Sequence, residues 1–171
     1  SIFVEFQQIS YLRLNIKKTV CIPLWPKGLA EIEEKIHSHI PGWGGLNICT
    51  KGTYLGFVVG PGKGPNSWIK PVAKYRDRVA RWSRMGGGMQ YAAMAYNVFA
   101  ISTLLYVGQL ESVPSFVIDM ERKMVLSMFP GPGNWIIPED TWFLKEQFGF
   151  AKSAQSLACS ARAAKLRVAT L

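Results

Sequence analysis

The sequence predicts an α+β chain in which a small piece carrying a β-hairpin, residues 1–62, precedes an all-helical piece, residues 63–171. Three observations predict it. Apolar residues in the first third alternate between helical and strand-like spacing, the run Gly60-Pro61-Gly62-Lys63-Gly64-Pro65 breaks the composition, and beyond that run the apolar periodicity is helical.

Taken in order, Ile2, Phe3, Phe6 and Ile9 predict the end of a helix, and Asn15 breaks the pattern. Thr19, Val20, Cys21, Ile22 and Leu24 form a short β-favouring run that prolines 23 and 26 should stop. Leu29, Ile32, Ile36 and Ile40 mark an amphipathic helix whose acids lie off the stripe. Residues 46–50 and 53–59 then flank Lys51-Gly52 as two strands flank a two-residue loop, so a hairpin is expected there.

In the helical piece, Pro71 suits a first helical position, and Val72, Tyr75, Val79 and Trp82 make an apolar stripe, while Lys74, Arg78 and Arg81 share a basic face. After Gly86-Gly87-Gly88 a long apolar helix is expected over 89–110, then one from Pro114 lined by Val117, Met120, Met124 and Met128. The run from Pro130 to Asn134 should stop it, and two more helices are expected near 139–148 and 152–168.

Half of the 171 residues are hydrophobic, enough for a real core, so global disorder is excluded. Twenty Lys and Arg against eleven Asp and Glu favour a polyanionic partner, nucleic acid or an anionic membrane. The cysteines Cys21, Cys49 and Cys159 are scattered and unpaired in pattern, which suggests buried thiols in a reducing, intracellular compartment; His37 and His39 lack companion ligands, and no metal site is read. The chain opens at Ser1 without a leader and reads as a fragment of something longer.

A two-metal polymerase needs clustered carboxylates. Asp77, Asp119 and Asp140 are scattered, so neither that site nor any bound cofactor is expected in this chain. Gly60 to Gly64 lacks the G-K-[ST] ending of a phosphate cradle, and its proline removes an amide donor. The chemistry that remains is cationic. Lys70, Lys74, Arg78 and Arg81 can grip phosphates, and Trp68, placed in the loop, is the candidate for stacking a base. A solvated basic face without a ligand fits the same residues.

Two motifs go further. Ser10-Tyr11-Leu12-Arg13-Leu14-Asn15-Ile16-Lys17-Lys18-Thr19 resembles the S-x-L-x-L-N-x-x-K-T pattern that follows the catalytic aspartates of LINE-type (non-long-terminal-repeat) reverse transcriptases, with Tyr11 where that family usually has Gly. Tyr54-Leu55-Gly56-Phe57 resembles the primer-grip hairpin of the same family. Residues 74–82, Tyr96-Asn97, 106–110 and 130–135 look like the thumb in retroelement-derived reading frames of algal protists. The resemblance implies the end of a palm followed by a thumb-like bundle, without the aspartates. It implies Lys18 as the general acid toward departing pyrophosphate, and Tyr54 to Phe57 as holders of the primer end. It also implies an RNA/DNA template-primer as partner, the upstream palm and fingers as neighbours, and Mg²⁺ for the intact polymerase. A competing reading takes 91–110 as a membrane span, since no charge falls between Arg84 and Glu111.

Overall fold

The computed structural model describes residues 2–24, 28–133 and 135–169, and shows an α+β chain dividing into two units, Ser1–Asn66 and Ser67–Leu171. In the first unit α1 (Ile2–Ser10) closes where the Ser10 hydroxyl donates to the Phe6 carbonyl at 2.6 Å and Tyr11 takes a left-handed backbone, φ +58°. A 3₁₀ turn, Ile16–Lys18, leads into β1 (Val20–Cys21), which ends short of the buried Pro23; Pro26 lies outside the described residues. The stripe on α2 (Leu29–His39) is half-buried at Leu29, Ile32 and Ile36, and Gly28 starts the helix from a positive φ of +80°.

The strands do not pair as the local sequence suggests. β2 (Asn47–Ile48) runs parallel to β1, with Val20 opposite Asn47 and Cys21 opposite Ile48, and the Cys49 amide continues the pairing by donating to the Cys21 carbonyl. The antiparallel hairpin is β3 (Gly52–Tyr54) with β4 (Phe57–Val59), and its turn is Leu55-Gly56, not Lys51-Gly52. Both turn residues have positive φ, +48° and +86°, as the right-handed twist of a two-residue hairpin requires. Ile22 sits against the hairpin's base: a Cβ on Gly52 would come within 2.8 Å of its Cδ1.

In the second unit α3 (Asn66–Trp82) starts five residues before Pro71, which lies inside the helix rather than at its first position. Trp68 is consequently in the first turn of α3, not in a loop. The expected long helix is broken into α4 (Gly88–Ala95), a π-helical turn (Tyr96–Ala100) and α5 (Ser102–Gly108). α6 (Ser115–Val125) passes into a 3₁₀ turn, Leu126–Met128. The last stretch holds two short helices, α7 (Pro138–Thr141) and α8 (Leu144–Phe148), and then α9 (Leu157–Ala169), which begins later than its composition suggests. Asn134, the last residue of the expected stop, lies outside the described residues, but Gly131 is covered by the Trp135 ring, where a Cβ would collide with the indole.

The core of this unit gathers on the broken helix. Ala93, Tyr96, Ala100, Ile101, Leu104 and Val107 are buried, and Gly108 lets α9 come close: a Cβ there would lie 3.2 Å from that of Ala161 and 3.6 Å from Leu157. Asn97, in the π turn, clamps the segment leading into α9, donating to the Ser153 carbonyl at 2.9 Å and accepting from the Gln155 amide at 2.8 Å. Among the described residues no single helix is long and apolar enough to cross a membrane; Gly88–Ala100 and Ser102–Gly108 reach that length only as a pair bent by 45°.

The broken helix therefore carries a buried and an exposed side, which substitutions can separate. Leu104→Ala should destabilise the chain by about 2–5 kcal/mol through the cavity it leaves. Val98→Ala, at an exposed position of the π turn, should change stability by less than about 0.5 kcal/mol. Urea unfolding of the two variants checks the assignment.

Candidate nucleic-acid interface

The residues singled out for nucleic-acid contact fall in both units. In the first, Asn15 organises the turn that carries Lys18. Its side-chain oxygen accepts from the Lys18 amide at 3.2 Å, and its carbonyl accepts from the Thr19 hydroxyl at 2.8 Å. The Lys18 side chain is left exposed to solvent. The hairpin presents Tyr54 and Leu55 outward, 68% and 71% exposed, while Phe57 is half-buried at the start of β4. An apolar β-hairpin tip with a non-glycine residue at positive φ is unfavourable both locally and in water.

In the second unit the cations on α3 have different surroundings. Lys70 and Lys74 are exposed. Arg81 is held by the Asp77 carboxylate one turn away, and that hydrogen-bonded pairing pulls the Asp77 carboxyl below its usual range and raises the guanidinium. Arg78 is half-buried and donates to the Phe99 carbonyl, so its guanidinium ties α3 to the end of the π turn. Beside it Trp82 stacks on Phe99, ring centroids 4.4 Å apart and planes within 11°. Arg76 reaches the Met120 sulfur at 3.4 Å.

Trp68 corrects its expected role. At 1% exposure its indole is core, and with its ring packed near Gly108 it offers no face for a base. The placement follows from the early start of α3, which puts residue 68 two helical turns, seven residues, before Tyr75 on the buried stripe.

What sets the basic helix in place is a group with no expected role. Glu121 on α6 is fully buried, and one carboxylate oxygen accepts from the Tyr96 hydroxyl at 3.2 Å and the Leu157 amide at 2.7 Å; the other oxygen has no hydrogen-bond partner among the described residues. Tyr75 of α3 completes the chain by donating to Tyr96 at 3.4 Å, with the rings edge to face. Burial pushes the Glu121 carboxyl up to about 7, against the two hydrogen bonds that favour its ionised form, and burial likewise raises both tyrosines. A carboxylate at the position that completes the stripe of Val117, Met120, Met124 and Met128 was the available signal.

The chain matches no family model, no curated protein and no solved structure.

The Glu121 linkage has a sign that can be measured. Its folded value lies above the ordinary 4.5, so the fold prefers the protonated form. The stabilisation is whole below about pH 4.5 and is lost as pH rises through about 7, a fall of roughly 3 kcal/mol if the full shift is expressed. Urea unfolding between pH 4.5 and 8 should show this slope, and Glu121→Gln should flatten it.

Proposed function

We propose that this chain is the C-terminal palm and thumb-like portion of a LINE-type reverse transcriptase, which holds a template-primer and leaves the metal chemistry to an upstream palm. The observation that carries the reading is the hairpin tip. The four residues that resemble the family's primer grip, Tyr54 to Phe57, bracket a two-residue turn and expose Tyr54 and Leu55 at a local energetic cost. A surface that keeps an apolar residue at positive φ is suited to contacting something other than water.

The first motif supports the same reading in backbone terms. Position 11, where the resembled pattern carries Gly, has φ +58°, a conformation that favours glycine, and the Asn15 and Thr19 of the pattern bond directly to one another. In this reading Lys18, projecting from the capped turn, is the general acid toward pyrophosphate, an ammonium suited to protonating a leaving phosphate oxygen. Lys70 and Lys74 take backbone phosphates, with Arg81 a weaker contributor because Asp77 already neutralises it.

The residues present do not fit the Mg²⁺ pair of the intact enzyme. Asp77 is engaged by Arg81, Asp140 accepts from the Ile137 amide, and Asp119 lies on α6, exposed; among the described residues no group of acids, cysteines and histidines gathers as a metal site. In this reading those carboxylates belong to the upstream palm.

The purified chain should not extend a primer with Mg²⁺ or Mn²⁺, and reproducible incorporation would overturn the assignment of its missing parts. It should bind nucleic acid without sequence preference and with a salt dependence set by the two exposed lysines. The double variant Lys70→Ala/Lys74→Ala should lower the slope of log affinity against log salt by about two, and Arg81→Ala by clearly less. Equal slopes for wild type and the double variant would place any binding elsewhere.

A further inference from the structure

At the C-terminal end of the basic helix the second unit has a cavity of about 420 Å³, within the usual size range of ligand pockets. Its floor is Met128 and Phe129, both buried; Trp82 forms a wall, and Met85 and Tyr91 stand at the mouth, each 69% exposed. Trp82 is backed by Phe99 through the stacked contact described above, which fixes the plane of that wall. The rim is the Gly86-Gly87-Gly88 turn, where Gly86 and Gly88 take left-handed φ of +63° and +78° and the three glycines bring no side chain of their own to the entrance.

The charge around this cavity is one-sided. In the two stretches that form it, residues 82–95 and 128–130, the one charged residue is Arg84, which sits between two lining residues, Ser83 and Met85. Toward the N-terminus α3 adds Arg78, half-buried and donating to the Phe99 carbonyl, while Arg81 and Asp77 neutralise one another. An apolar slot with aromatic walls, entered past cations, suits a ligand with a flat uncharged ring and an anionic handle. The first amides of α4 have no intrahelical acceptor, and Gly87 supplies no side-chain cap, so backbone donors are also available at the rim for the edge of such a ring.

We propose that this cavity receives one unpaired nucleobase of a single strand, its phosphates held by Arg84 and the neighbouring face of α3. The proposal rests on the nucleic-acid-binding reading and adds to it a preference for unpaired over paired substrate, because a base within a duplex cannot leave its stack without cost. The thioethers of Met85, Met89 and Met128 let the slot adapt to purines and pyrimidines alike, so no base preference is expected.

The test uses the whole chain with a single-stranded oligonucleotide of about ten nucleotides carrying one central 2-aminopurine, and a blunt duplex of the same length. Wild type should bind the single strand more tightly than the duplex and quench the 2-aminopurine as it enters among the aromatic rings. Tyr91→Ala, at an exposed position, should weaken single-strand binding about fivefold or more, abolish the quenching and leave duplex binding unchanged. Gly87→Leu, whose side chain would crowd Tyr91, should do the same by obstruction. Lys70→Ala/Lys74→Ala should weaken both substrates. If Tyr91→Ala binds and quenches like wild type, the base pocket is refuted while the nucleic-acid reading stands. If wild type binds neither substrate, both fall.

Discussion

The helical unit depends on a buried carboxyl. Glu121 draws together the Tyr96 hydroxyl and the Leu157 amide, and through Tyr96 it reaches Tyr75, so one side chain of α6 connects α3, the π turn and the start of α9. Apolar contacts supply most of the stabilisation of such a bundle, but they are tolerant of sliding and rotation. Hydrogen bonds in a dry interior are not, because a misplaced partner leaves a polar group without water or protein to satisfy it. The network thus fixes how the helices meet, while the aliphatic residues around it fix that they meet. The second oxygen, without a hydrogen-bond partner among the described residues, is the weak point, and burial is why the carboxyl holds its proton toward neutral pH.

Much of this organisation is visible in the sequence, and the failures are instructive. The buried positions Tyr75 and Val79 are legible because helical periodicity reports directly on which face meets the core. The hairpin turn is not, since the alternation of apolar residues around 46–59 suits either register. What displaces the turn is a parallel partner for Asn47-Ile48 more than twenty residues away, for which no local signal exists. Leu55 also hides the turn, being a poor residue for positive φ. From the sequence Trp68 reads as a loop residue because proline usually opens a helix, whereas here α3 runs through Pro71. Glu121 is not legible, because a charge on an apolar stripe reads as an exception unless its partners, far off in sequence, are known.

The candidate binding residues show the same division between local and tertiary information. Composition identifies a cationic helix, but not that Arg81 is neutralised by Asp77 or that Arg78 is turned to a carbonyl. Those two contacts reduce a four-residue basic face to a pair of exposed lysines, a smaller electrostatic footprint than the net charge suggests. The glycine triplet, legible only as an interruption, frames the mouth of a cavity instead.

The π turn at Tyr96–Ala100 holds one residue more than regular α-helical winding would place there, and so acts as a built-in insertion. Its effect is on phase. Each residue of an α-helix turns the chain by about 100°, so the extra residue resets the rotation of α5 relative to α4. That offset lets Ala93 before it, Tyr96 and Ala100 within it, and Leu104 and Val107 after it, all face inward from one continuous run. A single-residue deletion within 96–100 would restore ordinary winding and turn the α9-docking side of α5 toward solvent. For this segment, length matters as much as composition.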